Sequence, residues 1–399
     1  MKPVNKDAQL CLPLKLNLLM EAWIEQLKKE YKSSTLPDFQ DLVEGIRYTF
    51  SDQIKGSADR ESLILHQVST FPLAYHFVTD GTYGHDTIMH DLMHGCEGLL
   101  IEWNENPAFQ NLFEDIKFEY LRTVISLPKE VDLLPAIRWI EATNPANLTL
   151  ESEALELPAS SSSIAYRISG FNAYAAGANA AQELSYVAYE LSQFLQQKID
   201  RPITLEMGIG EHFIVELAKF KALDWLVNAL FSYHGHQPLL KVRCKTGWRN
   251  KSSVQVHDNQ IRQTFEAVCG MLSGAHELCV TPYDHAYVGH SANFVRRMAL
   301  NTVHILSLEG QLNGEKTTIE GSPIIAHHAT TLCNSAWDFL KAASPEEAKT
   351  LLLSAMDTTL IQRTSTLSNF LKPEGRITEK KKLSGIYGRD AVYFENLAI

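Results

Sequence analysis

The sequence predicts an α/β fold, a (β/α)8 TIM barrel with helical segments at both ends. The chain has 399 residues, 45% of them hydrophobic, and this suffices for one barrel of about 250 to 300 residues with additions. Short apolar runs recur at intervals of roughly 35 to 40 residues, and each interval has room for one helix. Apolar residues at helical spacing indicate such helices at residues 184–195 and 261–272.

Eight of these runs are predicted to form the barrel strands. They cover residues 63–68, 98–103, 123–127, 164–168, 203–207, 239–244, 277–281 and 316–320. The polar segment 158–163 leads into the fourth run, and Gly274 is a helix stop before the seventh. We therefore assign residues 61–344 to the barrel.

Two segments lie outside the predicted barrel. Residues 1–60 contain an amphipathic helix in which Leu19, Trp23 and Leu27 recur at every fourth position. This helix packs either on its own barrel or on a partner subunit. Residues 345–399 begin within a Ser-Pro-Glu-Glu sequence that is typical of a helix start, and we expect a helical segment there.

Composition and charge argue against several classes of protein. A formal net charge of −11 and a pI near 5.8 give no basic surface for nucleic acid. The N-terminus does not resemble a signal peptide, and no run approaches the roughly 18 apolar residues that a membrane helix needs. The six cysteines are scattered without a CxxC pair, which is typical of reduced thiols. We expect no nucleic-acid partner, no membrane partner and a cytoplasmic location.

Four blocks of sequence, in the same order, resemble the adenosylcobalamin-dependent acyl-CoA mutases, above all methylmalonyl-CoA mutase. Residues 167–190 are similar to the family pattern SGYHxxEAGAxxxxELAxxLA, which follows a barrel strand. The other blocks are residues 21–46, 245–277 and 294–302, the last of which is similar to FARRIARNT. Several ordered matches of this length are more specific than one isolated motif. The resemblance implies a TIM barrel with a role in acyl-CoA isomerisation.

The chain differs from this family at positions that carry the family's chemistry. Phe171 and Asn172 stand where the family has Tyr and His, and in the family the His contacts the thioester carbonyl. A phenyl ring has no hydrogen-bonding atom, and an amide has no titratable imidazole. The Arg-Gly-x-Tyr stretch of the family's first strand has no counterpart in residues 56–65, and its DPAGGSYY segment is altered at residues 319–325. We therefore predict no catalytic residues in this chain.

The resemblance also implies where cofactor and substrate bind. The family's cobalamin domain carries a DxHxxG loop whose His ligates cobalt, and the sequence contains no such loop. Several family members are heterodimers in which a degenerate small subunit pairs with a large catalytic one, and this chain resembles the small subunit. We expect adenosylcobalamin in the large subunit, which isomerises methylmalonyl-CoA and succinyl-CoA, and no cofactor in this chain. In catalytic chains the central barrel tunnel houses the pantetheine of the substrate.

Polar residues at the predicted strand ends form a candidate pocket. Glu206 ends the fifth predicted strand, and Arg243 lies in the sixth, followed by Thr246 and Trp248. TIM barrels place their functional side chains at these carboxyl ends. Glu206 and Arg243 either form a buried salt bridge in place of a lost ligand or contact an acyl-CoA.

Two alternatives remain open. In the first, the chain is the substrate-binding barrel of a split mutase that uses cobalamin from a separate protein. In the second, it is a metal-dependent TIM-barrel hydrolase: His90 and His94 share a helix face, with Asp91 in place of the Glu of an HExxH motif. That helix is predicted to lie outside the barrel, between the first and second strands.

Overall fold

The structure of the chain is a computed structural model that describes most of the barrel and parts of both terminal segments. The described residues are 22–33, 39–41, 46–48, 71–78, 84–103, 112–127, 132–143, 145–154, 164–247, 249–251, 256–285, 291–312, 321–342, 350, 353–356 and 358–359. Leu19, Trp248 and the runs at 63–68 and 316–320 lie outside these residues.

Two small elements precede the barrel. The helix α1 covers residues 22–30 and carries Trp23 and Leu27. The strands β1 (Phe39–Asp41) and β2 (Ile46–Tyr48) pair in antiparallel fashion. The described part of the N-terminal segment thus contains the part of the predicted helix that carries Trp23 and Leu27.

Eight parallel strands close into a barrel, which confirms the predicted fold class. They are β3 (Phe71–Val78), β4 (Gly98–Trp103), β5 (Arg122–Leu127), β6 (Leu148–Ser152), β7 (Ile164–Ser169), β8 (Ile203–Ile209), β9 (Leu240–Thr246) and β10 (Glu277–Val280). Each strand pairs with the next along the chain, and β10 closes the barrel against β3. Six of the eight predicted runs coincide with these strands.

Two barrel strands differ from the prediction. The first barrel strand is β3 rather than the run at 63–68, because β3 pairs with both β10 and β4. A proline such as Pro72 argues against a central strand when only the sequence is known. In the structure Pro72 is the second residue of β3, a position near the strand start where proline is tolerated. The other is β6, whose Glu151 faces the barrel interior and gives the strand a polar sequence. The eight described strands close the barrel by themselves, because β10 pairs directly with β3. The additional strand β6 makes the fourth to seventh predicted strands the fifth to eighth.

The described helices form a layer around the barrel. They are α2 (Gly84–Met93), α3 (Leu134–Thr143), α4 (Gly170–Ala175), α5 (Ala180–Gln196), α6 (Phe213–His234), α7 (Asp258–Leu272), α8 (Asn293–His304) and α9 (Pro323–Ala342). A π turn, Ile305–Glu309, continues α8, and α9 packs against both α5 and α6. Within the described residues, no helix combines the length and apolar character that crossing a bilayer requires.

Helix ends follow local chemistry. α5 begins with a capping box, in which the side chains of Asn179 and Gln182 each accept a hydrogen bond from the backbone N–H of the other, both at 2.9 Å. α6 ends at Gly235, whose φ of 61° is left-handed and suits glycine. The capping box fixes the start of α5 directly after the short helix α4.

Strand alternation separates an outer core from the barrel interior. On β8, Leu205 and Met207 point outward into an apolar core shared with α5 and α6. Thr204 and Glu206 point inward, where both hydrogen-bond to side chains of other strands. The candidate site is built on these inward-facing residues.

Candidate functional site

The barrel interior is divided into an apolar half and a charged half. The apolar half comes from β3, β4, β5 and β10 and contains Leu73, Tyr75, Leu100, Val124 and Cys279. The charged half comes mainly from β6, β7, β8 and β9, and Glu102 of β4 and Glu277 of β10 also belong to it. Side chains of both halves therefore fill the interior, as in a packed core.

Arg243 is the centre of the charged half. Its Nη1 lies 2.8 Å from Glu151 Oε2 and 3.3 Å from Glu206 Oε2, and its Nη2 lies 2.8 Å from Glu277 Oε2. The Arg243 side chain has 0% exposure. One guanidinium thus contacts three carboxylates from three strands. The ion pair between Glu206 and Arg243, one of the two alternatives that the sequence left open, is one part of this larger network.

The charges of this network stabilise each other. Burial lowers the pKa of Arg243, but the carboxylates of Glu151 and Glu277 raise it well above its usual value. Burial raises the pKa of Glu277, but Arg243, Arg122 and Lys241 outweigh that effect and bring the pKa down to about 2. Arg243 and Glu277 are therefore charged at neutral pH.

Arg167 extends the network towards the carboxyl ends of the strands. Its Nη2 donates to Glu153 Oε1 at 2.9 Å, and its Nη1 lies 3.5 Å from Glu206 Oε1. Ser169 Oγ also donates to Glu206 Oε1, at 3.3 Å. Glu206 thus has partners on both sides, so its carboxylate is engaged inside the protein.

Lys245 forms a second ion pair on the barrel axis. Its Nζ lies 2.5 Å from Glu102 Oε1, and Tyr75 Oη donates to Glu102 Oε2 at 2.7 Å. The same Nζ lies 4.2 Å from the ring centre of Tyr75 and 4.5 Å from that of Phe171. The Phe171 ring therefore faces a buried cation, a favourable cation–π arrangement.

Phe171 and Asn172 lie in α4, directly after β7. Ser169 caps this helix by accepting a hydrogen bond from the Asn172 N–H at 3.2 Å. The Asn172 Nδ2 donates to Glu153 Oε1 at 3.4 Å. Both side chains are buried, and their described contacts are with residues of the barrel itself.

Tyr174 packs over the ends of β8 and β9 next to these residues, and the sequence prediction missed it. A Cβ placed on Gly247 would lie 2.1 Å from the Tyr174 Oη, and one placed on Gly208 would lie 2.5 Å from the Tyr174 ring. The Arg249 guanidinium stacks 3.8 Å from the ring centre of Tyr174, and its Nη1 donates to the backbone oxygen of Tyr174 at 2.9 Å. The sequence signal for this contact was the pair Gly208 and Gly247, which lie just after Glu206 and Thr246 and leave space for a large ring.

The remaining predicted pocket residues lie apart from this network. Thr246 is buried, and its Oγ1 lies 3.0 Å from Thr281 Oγ1 on the neighbouring strand segment. Trp248 lies outside the described residues. The structure thus joins Glu206 and Arg243, and it places Thr246 at a strand-to-strand contact.

The histidines of α2 lie outside the barrel, between the first and second strands. Asp91 Oδ2 lies 3.0 Å from His76 Nε2, and the Asp91 carboxylate also pairs with Arg296. His94 Nδ1 donates to the backbone oxygen of His90 at 2.7 Å. In the part of the chain that the structure describes, no group of three or more His, Cys, Asp or Glu residues is placed to hold a metal ion.

Comparison with known proteins adds to this geometry. The family model for methylmalonyl-CoA mutase matches residues 158–363. The chain is 25% identical to the methylmalonyl-CoA mutase small subunit of Porphyromonas gingivalis over 264 residues, 62% of this chain and 40% of that protein. It is 26% identical to the methylmalonyl-CoA mutase of Cereibacter sphaeroides over 187 residues, 44% of this chain and 26% of that protein.

A third relative is the methylmalonyl-CoA mutase of Escherichia coli, 26% identical over 168 residues, 39% of this chain and 23% of that protein. The matched regions thus span less than half the length of each of these relatives. The family model, in contrast, covers more than half of the 399 residues of this chain. The chain therefore belongs to the methylmalonyl-CoA mutase family.

Proposed function

We propose that this chain is the non-catalytic small subunit of a heterodimeric, adenosylcobalamin-dependent methylmalonyl-CoA mutase. A large subunit carries out the isomerisation of methylmalonyl-CoA and succinyl-CoA. The similarity to a protein named as a small subunit supports the assignment. The observation that carries it is the set of buried ion pairs that fills the barrel axis.

The buried side chains on the barrel axis leave no room there for the substrate. The resemblance places the pantetheine of the substrate in the central tunnel of a catalytic barrel. Here the Arg243 and Lys245 side chains occupy the interior with 0% exposure. A substrate on the axis would separate Arg243 from its carboxylates, and breaking a buried ion pair by removing one partner costs about 3 to 5 kcal/mol.

The side chains at the carboxyl ends of the strands also support a non-catalytic role. Phe171 lies on Lys245, and Tyr174 covers Gly208 and Gly247 under the stacked Arg249. The cofactor of this family supplies a radical by homolysis of its cobalt–carbon bond, and the protein has to position the substrate and exclude water. These packed side chains do not fit that task, so we assign no step of the reaction to this chain and place adenosylcobalamin in the large subunit.

The N-terminal helix α1 is the first candidate contact with the large subunit. Trp23 is 52% exposed, and Leu27 is half-buried. Tryptophan is enriched at the energetic centres of interfaces. We assign Leu19, Trp23 and Leu27 to this contact, with Leu19 outside the described residues.

A comparison of matched substitutions in the two subunits tests the proposal. Asn172→Ala in this chain should leave the kcat of the heterodimer within about twofold, because no reacting atom contacts Asn172. Replacement of the His at the matching position of the large subunit should lower kcat by about 100-fold or more. Turnover of methylmalonyl-CoA by this chain with a separate cobalamin-binding protein alone would support the split-mutase alternative instead.

A further inference from the structure

The outward face of α7 and α8 is apolar. Five large apolar side chains on these helices and on the following π turn are between 53% and 75% exposed. They are Ile261, Phe265, Phe294, Ile305 and Leu308. We call this set the α7–α8 face.

The positions of these residues make one surface. Ile305 follows Phe294 by about three helical turns and Leu308 follows Ile305 by about one, so the three form one stripe along α8 and its π turn. The Gln260 Nε2 of α7 donates to the Thr302 Oγ1 of α8 at 2.7 Å, which places the two helices side by side. Because Val295, Ala299 and Val303 on the opposite side of α8 are buried, the stripe points away from the barrel.

Other outer helices of this barrel differ. On α5 the corresponding outward positions are Glu190, Gln193 and Gln196, as expected for a helix that meets water. α5 and α6 are also partly covered by α9. Other described helices carry at most one exposed large apolar side chain each, such as Met93 on α2 and Leu134 on α3, whereas the α7–α8 face groups five.

The size of the face fits a protein partner. With about 200 Å² for a large apolar residue, the five side chains expose about 600 Å², against about 800 Å² that each partner contributes to a standard stable interface. This value also lies at the upper end of the largest apolar patches of ordinary monomers, about 300 to 600 Å². A stable complex therefore needs only about 200 Å² of additional buried surface around these residues.

We propose that the α7–α8 face is a docking surface for the large mutase subunit, an inference that rests on the function proposed above. A second copy of the chain is disfavoured because two molecules of net charge −11 repel each other. The last described residues of the chain are also placed elsewhere, since Met356 packs on Ala173 and Ala176, and Thr359 Oγ1 accepts from Gln182 at 2.8 Å. The end of the described chain therefore lies on α4 and α5 rather than on the α7–α8 face.

Binding to the purified large subunit tests the surface. Phe265→Asp and Leu308→Asp each place a charge in the face and should weaken the Kd for the large subunit by at least about tenfold. Tyr233→Asp is the matched control, because Tyr233 is 79% exposed at the end of α6, where the adjacent His234 contacts Ser192 of α5. The control should change Kd by less than about twofold. Circular dichroism melting should be similar for all three variants, because the substituted side chains are exposed.

The outcomes separate the surface from the proposed function. If the unsubstituted chain binds the large subunit and both face variants bind equally well, the docking surface is wrong and the small-subunit function stands. If the unsubstituted chain does not bind the large subunit at all, the proposed function itself fails. If the isolated chain sediments as a dimer that Phe265→Asp dissociates, the face belongs to a second copy and the proposal is overturned.

Discussion

Arg243 illustrates how much one buried charge matters in this barrel. Its guanidinium contacts Glu151, Glu206 and Glu277 with no exposure of its own. A buried ion pair adds little net stability compared with an apolar core, but removal of one partner leaves the other charges without compensation. The residue therefore stabilises the folded barrel mainly by neutralising the acidic strands around it.

Substitution of Arg243 should be severe. Arg243→Met should lower the free energy of unfolding by about 3 to 5 kcal/mol, because it leaves buried carboxylates with one cation fewer. Lys241→Met is the control: its side chain is 39% exposed and its Nζ lies 4.0 Å from Glu277, so we expect a loss below about 1 kcal/mol. Urea unfolding measures both values. Equal stability of the two variants would contradict a central role for Arg243.

Glu266 gives a prediction for the dependence of stability on pH. Its Oε1 lies 2.5 Å from Lys251 Nζ and accepts from Asn250 Nδ2 at 2.7 Å. Burial raises the pKa of Glu266 from 4.5 to about 7, although Lys251 and Asn250 act in the opposite direction. The unfolded chain releases this proton near pH 4.5 and the folded chain near pH 7. The stability from this group is thus present below pH 4.5 and lost as the pH rises to 7.

Comparison of the unsubstituted chain with Glu266→Gln isolates this contribution. Relative to the variant, the chain should lose up to about 3 kcal/mol of unfolding free energy between pH 5 and pH 8. Glu277→Gln is the control with the opposite sign, because the pKa of Glu277 is lowered to about 2. Its contribution is lost as the pH falls below about 4.5. A stability difference for Glu266→Gln that stays constant with pH would refute the raised pKa.

At this scale the sequence predicted part of the site. The pair Glu206 and Arg243 followed from their places in predicted strands. Glu151 was missed because its strand, β6, is short and polar. Tyr174 was missed because a tyrosine in a helix-forming segment gives no sign that it will cover strand ends. Side chains that meet across the barrel are distant in sequence, and a periodic pattern carries no information on such contacts.

Among the elements, α4 and the ends of β8 and β9 determine the shape of the mouth. α4 presents Tyr174 to strand ends that carry Gly208 and Gly247. Any side chain at these glycines would collide with the tyrosine ring, so the helix can lie close to the sheet only because both positions lack a Cβ. The close approach of α4 to the strand ends is therefore a property of the three residues together.

A double-mutant cycle tests this packing. Gly247→Ala alone should cost about 1 to 3 kcal/mol of unfolding free energy, because the new methyl group overlaps the Tyr174 hydroxyl. In a Tyr174→Ala background the same substitution should cost less than about 0.5 kcal/mol, since the obstacle is gone. Additive effects of the two substitutions would show that Tyr174 does not lie on Gly247.

Comparison of the predicted and observed strands shows which sequence patterns identify a barrel strand. Apolar runs such as 203–207 coincide with strands because one face of each packs under the helix layer. The prediction missed β3 because its Pro72 is unusual within a central strand. The strand β6, which was not predicted, then shifts the numbering of the later strands by one.

At the scale of the whole molecule, a barrel filled along its axis carries apolar residues on its outside. Trp23 on α1 and Phe265 on the α7–α8 face are both exposed. Large permanent interfaces often bury more than about 2,000 Å². If both proposed contacts form, the areas that they bury add up towards this size.

The contact at α1 can be tested by itself. Trp23→Asp should weaken assembly with the large subunit by at least about tenfold, because a charge in an apolar contact is not compensated. Thermal unfolding of the isolated variant should match that of the unsubstituted chain. Lys28→Asp serves as the control, since Lys28 is also exposed but lies about 140° around α1 from Trp23, away from the stripe of Leu19, Trp23 and Leu27. Unchanged binding of the Trp23 variant would exclude this helix from the interface.

Calorimetric titration with methylmalonyl-CoA tests most directly whether the barrel of this chain binds substrate. The isolated chain is titrated first, and its complex with the large subunit second. A barrel whose axis is filled by Arg243 and Lys245 should show no saturable binding up to about 1 mM, and the complex should bind one equivalent per heterodimer. Saturable binding of one equivalent to the isolated chain at micromolar concentration would contradict a closed, non-catalytic barrel.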